Sequence, residues 1–446
     1  MLRLIFSDLI AHLRVWVGMA IIAAATALVA AVVASDVETA VGLGGNVALA
    51  LYAISGSVIL FTSVAAVIVL SSVANLTVVL QQRDYALWQL VGVRGSLVGI
   101  VVLTQLVVVA LVGAWVGIAL SVPVLQPFFD YVFADLPGFG SVPVQFGPAG
   151  VTSVLGFVTV IVLLSGVRSA RRASQVTGVA VLADPDPPQT TMGPLRWVGV
   201  LAVLGLLCAL LLSIRATPVD RLEVPLWIIG PLVASLLVCL GPLIFPSVLR
   251  GWTALVPARW SVSWFLARSA ALHSIGRSTA AVNPLMVAVA LAGGLYSANG
   301  TVRAAERVGA GGAITIGTVV LLLGGPLLLS ALGSAVTIFM SARVRDREAA
   351  LVRATGGTPE VVMATAAWEA FIYVVTAVLL GAVGVIATAL VGAWAVASDA
   401  PGTFPRFGAG AVGVVAGAEL LLVMVATVVP AGLGVRRDVA ATLAAE

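Results

Sequence analysis

Two carboxylates, Glu369 and Glu419, stand inside long apolar runs, where an ionisable side chain is costly and marks a function by default. Glu369 lies near one end of its run, and the uncharged Gln105 holds the matching place in an earlier one. Glu419 lies midway along the last run and has two readings. It is a polar point on a substrate path or a gating contact, or it is a protonated carboxyl bonded to a neighbouring helix. Arg277 lies near the end of a run, where its side chain can snorkel to the surface. Little else in the chain could do chemistry. The two imidazoles, His12 and His273, lie far apart, and every basic residue other than these is an arginine. Without lysine there is no phosphate-holding P-loop and no Schiff base. Cys208 and Cys239 sit in apolar runs as small hydrophobes, and no disulfide framework is indicated. With no paired carboxylates, ligand cluster or nucleophile–base set, the chain is expected to be no enzyme and to hold no metal or cofactor of its own.

The elements that carry these residues are set by solvent. Apolar residues make up 61% of the chain and charged ones 9%, against roughly a quarter charged in soluble domains. A surface of that kind calls for lipid. Apolar runs long enough to cross a bilayer fall at 15–35, 47–80, 97–124, 147–167, 195–214, 224–248, 277–298, 312–342, 361–396 and 408–434. The first reads as an anchor rather than a cleaved signal, because it is long and follows a segment carrying Asp8 and His12. If all ten cross and the N-terminus is cytoplasmic, Arg215, Arg221, Arg303, Arg307 and Arg406 fall outside and the other 18 arginines inside. That bias is what the positive-inside rule expects. It also explains the net charge of +4 without nucleic acid, since the arginines recur between runs rather than forming one basic face.

The fold expected is all-α and integral to the membrane: about ten transmembrane helices, in two parallel four-helix modules joined by a central helix pair. Residues 1–182 form the first module, beginning with an amphipathic helix over 1–14 that lies on the membrane surface. The stretch 183–194, with Pro185, Pro187, Pro188 and Pro194, is a linker. Residues 195–250 form the central pair and 251–446 the second module. The run 47–80 would reach about 50 Å as a helix, against a hydrocarbon core of about 30 Å. Gly113, Gly117, Gly381 and Gly384 allow close helix packing, and Pro231, Pro242, Pro284, Pro326 and Pro430 mark expected kinks.

One internal repeat stands out. QQRDYALWQLVGVRGSLVGIVVLTQ, from Gln81 to Gln105, aligns with RVRDREAALVRATGGTPEVVMATAAWE, from Arg343 to Glu369, at an offset of 264. Arg83 meets Arg347, Asp84 meets Glu348, Leu87 meets Leu351 and Gly92 meets Gly356; Gln105 falls on Glu369. Each copy reads as a short amphipathic helix with Leu87 and Trp88, or Leu351, on its apolar side, ended by a glycine cap. Both copies fall on the cytoplasmic side, so the modules are parallel repeats, which weighs against an inverted-repeat secondary transporter.

The pattern R-x-R-E-x-A-L-x-R-A-x-G, present from Arg345 to Gly356, resembles the cytoplasmic loop of FtsX-like permeases, the membrane subunits of MacB-type ABC transporters. Two four-span modules joined by a pair are similar to the ten-span permeases of BceAB-type transporters. The resemblance implies a bacterial plasma-membrane protein with both termini cytoplasmic. It implies that Arg83, Asp84, Leu87, Trp88 and Gly92, and Arg345, Arg347, Glu348, Leu351 and Gly356, form coupling helices. These would dock on a separate ATPase subunit, in two copies, that carries ATP and magnesium. It further implies an amphipathic substrate, such as a peptide antibiotic, a lipid or an envelope precursor. The chain departs from the family at Tyr85, Trp88 and Gln89 and in its short loops 36–46 and 299–311, which leave no room for the family's large extracellular domain. The alternative reading is an ATPase-driven transmitter of signal or force, to a sensor kinase or a cell-wall hydrolase.

Overall fold

The computed structural model describes residues 13–43, 45–134, 143–174, 193–215, 217, 222–257, 261–305, 316–397 and 402–435. The surface helix expected over 1–14, most of the 183–194 linker and the basic end at Arg436 and Arg437 lie outside the described residues. Within them the chain is an all-α integral membrane protein. Nine described helices are long and apolar enough to cross a bilayer, and a bent pair brings the number to ten. Lipid cannot hydrogen-bond the backbone, so apolar runs of this length satisfy their own amides by coiling into helices.

The first unit comprises Met1–Pro185 with Gly309–Gly333. Its helices are α1 (Leu13–Leu43), α2 (Gly45–Leu80), the short α3 (Gln82–Leu90), α4 (Gly95–Val132) and α5 (Pro148–Ser174). The centre is α1, packed against α4, α2 and α5. Gly117 makes that packing possible: a Cβ there would lie 2.1 Å from the Ala24 carbonyl oxygen. At the start of α4, a Cβ on Gly95 would lie 2.3 Å from the Ser174 carbonyl oxygen at the end of α5. The 38-residue α4 would rise about 57 Å, far beyond the bilayer core. Arg172 donates to Asn75 Oδ1 at 2.6 Å and ties the end of α5 to α2.

The second unit comprises Asp186–Val308 with Ser334–Glu446. It contains α6 (Pro194–Arg215), α7 (Glu223–Cys239), α8 (Gly241–Thr253), α9 (Val262–His273) and α10 (Ile275–Ala305). After α11 (Ile316–Met340), whose residues to Gly333 belong to the first unit, come α12 (Ala342–Ala354), α13 (Pro359–Val396) and α14 (Ala409–Val435). Here α13 is central, against α10 and α14, and a Cβ at Gly381 would lie 2.7 Å from Val289. Residues 117 and 381 are again 264 apart, so the same small position serves the same close contact in both copies. The single run expected over 224–248 is instead α7 and α8, bent by 89°. Gly241-Pro242 explains the break, because proline disfavours helix at the residue before it and cannot donate its own amide. Trp264 of α9 packs edge-to-face on Trp368 of α13 at 5.3 Å, and Trp252 of α8 donates to Thr376 Oγ1 at 3.0 Å, so both short helices are anchored to α13.

Candidate functional site

The two repeat segments fold alike down to single hydrogen bonds. In the first, Val93 N–H donates to Trp88 O at 3.0 Å and Gly92 N–H to Gln89 O at 3.0 Å. In the second, Gly357 N–H donates to Val352 O at 2.9 Å and Gly356 N–H to Arg353 O at 3.0 Å. Each donor and acceptor in one copy has its partner 264 residues on in the other. This paired arrangement is a Schellman cap, which requires a left-handed residue just past the helix. Gly92 at φ +99° and Gly356 at φ +95° supply it, as glycine does at little cost. Arg94 and Thr358 then turn the chain into the two 38-residue helices α4 and α13, which begin at equivalent positions. A short helix is thereby fixed at one angle to a long one, twice.

The faces of the short helices also match. Leu87 is 56% exposed and Leu351 is 58% exposed, each five residues before its cap glycine. In α3, Tyr85 is buried, with its hydroxyl donating to Gln81 Oε1 at 2.5 Å, while Trp88 is half-buried against its ring. Tyr85 is therefore an internal packing residue, and the outer face of α3 is formed by Leu87 rather than by Tyr85. Asp84 is partly exposed. In α12, Arg345 donates to Ile338 O at 2.5 Å, capping the end of the preceding helix. The side chains of Arg83, Arg343 and Arg347 lie outside the described residues.

Glu348 and Glu369, unrelated by sequence spacing, are brought together by Arg277 at the start of α10. The guanidinium donates to Glu348 Oε1 at 3.2 Å and Oε2 at 3.4 Å, and lies 3.9 Å from Glu369 Oε1. The Tyr373 hydroxyl donates to the same Glu369 oxygen. Arg277 and Glu369 are nearly enclosed, while half of the Glu348 side chain is exposed. One cation thus links the short helix α12, through its exposed acid, to an acid inside α13. Tyr373 was legible as the i+4 neighbour of Glu369; the role of Arg277 was not, because nothing in its local sequence points at α12.

Glu419 is 7% exposed, and neither carboxylate oxygen has a hydrogen-bond partner among the described residues. Gln105 is fully buried in α4. Of the three intramembrane candidates, Glu369 joins Arg277; Gln105 belongs to the first unit, and Glu369 and Glu419 to the second. No group of three His, Cys, Asp or Glu able to hold a metal occurs among the described residues. Compared with family models, curated proteins and solved structures, the chain gives no match.

Proposed function

We propose that this chain is the permease subunit of an ABC transporter of the FtsX-like kind, moving an amphipathic substrate across a bacterial plasma membrane. Both termini are cytoplasmic, and two copies of a separate ATPase, carrying ATP and magnesium, dock on α3 and α12. One observation carries this reading. The chain builds the same device twice: a short helix with an outward leucine, a Schellman glycine, and a rigid 38-residue helix. A single loop that merely anchors a span has no need of such duplication. Motion imposed on the short helix passes to the long one, because the cap fixes the angle between them. Arg277 adds a second connection in the α12 copy, from Glu348 to Glu369 and α10. The excess of arginines in the segments assigned to the cytoplasm supports the orientation.

The test is co-purification with the ATPase, followed by its hydrolysis rate in lipid with and without this chain. Stable association and stimulated hydrolysis are expected; absence of both rejects the reading.

A further inference from the structure

The first unit holds a cavity of about 890 Å³ that the coupling helices do not use. Its walls come from α1, α2 and α5 and are largely apolar, with Ala30 and Val33, Ile59, and Val154 and Phe157 among them. Polar groups gather at one rim. There the two carboxylate oxygens of Glu38 accept from Gly147 N–H at 2.6 Å and Gly150 N–H at 2.5 Å, placing a negative charge at the N-terminus of α5. Thr39 Oγ1 accepts from Gln145 N–H at 3.0 Å, and Gln145 completes the rim. The second unit pins its last loop in the same way, with Thr301 Oγ1 accepting from Arg406 N–H at 3.2 Å, but the residue before that threonine is Gly300 rather than an acid. Among the described residues, the charged rim is therefore a property of the first unit.

Along α1 the cavity runs from Ala30, near the middle of the span Trp16–Leu43, to Val41 near its end. That is a rise of about 16 Å, close to half of a hydrocarbon core of about 30 Å. The cavity is about as deep as one leaflet, apolar towards the middle of the span and polar towards its end. Thr62 breaks the pattern in the wall. It is 1% exposed, lines the cavity, and has no hydrogen-bond partner among the described residues. Thr26, Ser72 and Thr77 instead return their hydroxyls to the carbonyl four residues back.

We propose that this cavity holds one acyl chain of a zwitterionic phospholipid, drawn from the leaflet at the C-terminal end of α1, with the cationic amine of its head group at Glu38. The inference requires only that the chain resides in a bilayer, so it stands or falls independently of any ATPase. The experiment uses the full chain in nanodiscs doped with a phospholipid carrying a diazirine at the end of one acyl chain. After illumination, adducts are mapped by mass spectrometry. Adducts are expected to concentrate on Ala30, Ile59 and Phe157, above those on Leu201 and Leu204 of α6, which are exposed. Val33→Trp and, separately, Ile59→Trp fill the cavity and should lower the cavity adducts at least tenfold. Unchanged labelling on α6 shows that the variants remain folded in the membrane. Thr62→Val keeps the shape of the wall and removes the hydroxyl, so labelling by a hydrocarbon chain should rise severalfold. Cavity labelling no greater than that of α6, or unaffected by both tryptophans, overturns the proposal. A fall with Thr62→Val overturns the hydrocarbon occupant in favour of one that is polar at that depth.

Discussion

Gly333 of α11 lies against Val69 of α2, and the two hold the same place in the two copies of the repeat, 264 residues apart. A Cβ on Gly333 would approach Val69 Cγ1 to 2.4 Å. One side supplies bulk and the other its absence. Gly333→Val is expected to cost about 1–3 kcal/mol through overpacking. Adding Val69→Gly should recover most of that loss, because the volume is only exchanged. Thermal unfolding of both single variants and the exchange in nanodiscs measures this; an additive loss in the double variant would refute the complementarity.

The exposed leucines test docking without disturbing the core. Leu87→Asp and Leu351→Asp should each weaken association with the ATPase at least tenfold, with unfolding midpoints unchanged, since both side chains already face outwards. The double variant should lose association altogether. Charge reversal at Arg347 with Glu348 should weaken association more than reversal at Arg83 with Asp84, because the second copy keeps the fuller charged start. Pull-down from nanodiscs provides the ranking, and a weaker effect in the second copy would reverse it.

Arg277 is expected to matter more than the acid it meets at the surface. Glu348→Gln removes a half-exposed partner and should cost below about 1 kcal/mol. Arg277→Met leaves Glu369 enclosed with only the Tyr373 hydroxyl, and should cost about 2–4 kcal/mol, below the full range for breaking a completely buried pair. Pairing Arg277→Met with Glu369→Gln should restore part of the loss. A double-variant cycle of unfolding midpoints gives the coupling directly; strict additivity would mean that the 3.9 Å approach carries no interaction.

Glu419 is expected to lower stability in exchange for function. Its carboxyl is buried without a partner among the described residues, so it is not holding two helices together there. Glu419→Leu should raise stability by about 1–3 kcal/mol by removing the unmet polar group. Both Glu419→Leu and Glu419→Gln should leave ATPase stimulation intact while abolishing substrate movement. Proteoliposome transport measured beside hydrolysis decides the matter; wild-type transport in the glutamine variant would leave Glu419 without a functional role.

Composition and period alone determined that the chain is helical and lies in a membrane, because a continuous apolar run of about 20 residues satisfies its own amides in lipid by coiling into a helix, whereas barrel strands alternate apolar and polar residues. They also placed the repeat and both cap glycines, since a short amphipathic helix closed by a left-handed residue is written in consecutive positions. Local spacing could not reveal contacts between distant segments. The meeting of Arg277 with Glu348 and Glu369 and the carboxylate of Glu38 on the first turn of α5 join residues with no sequence period between them, and the seating of Gly333 on Val69, though they stand one repeat apart, is a contact that the repeat does not specify. The break at Gly241-Pro242 was marked as a kink, but its 89° angle depends on how α7 and α8 each find packing partners. The cavity likewise exists only because three helices diverge, and each contributes wall residues that singly read as ordinary apolar positions. Hydrophobicity and chain stiffness act locally and are legible along the sequence; pairing of charges and the shape of empty space depend on which helices become neighbours, and that was settled by packing.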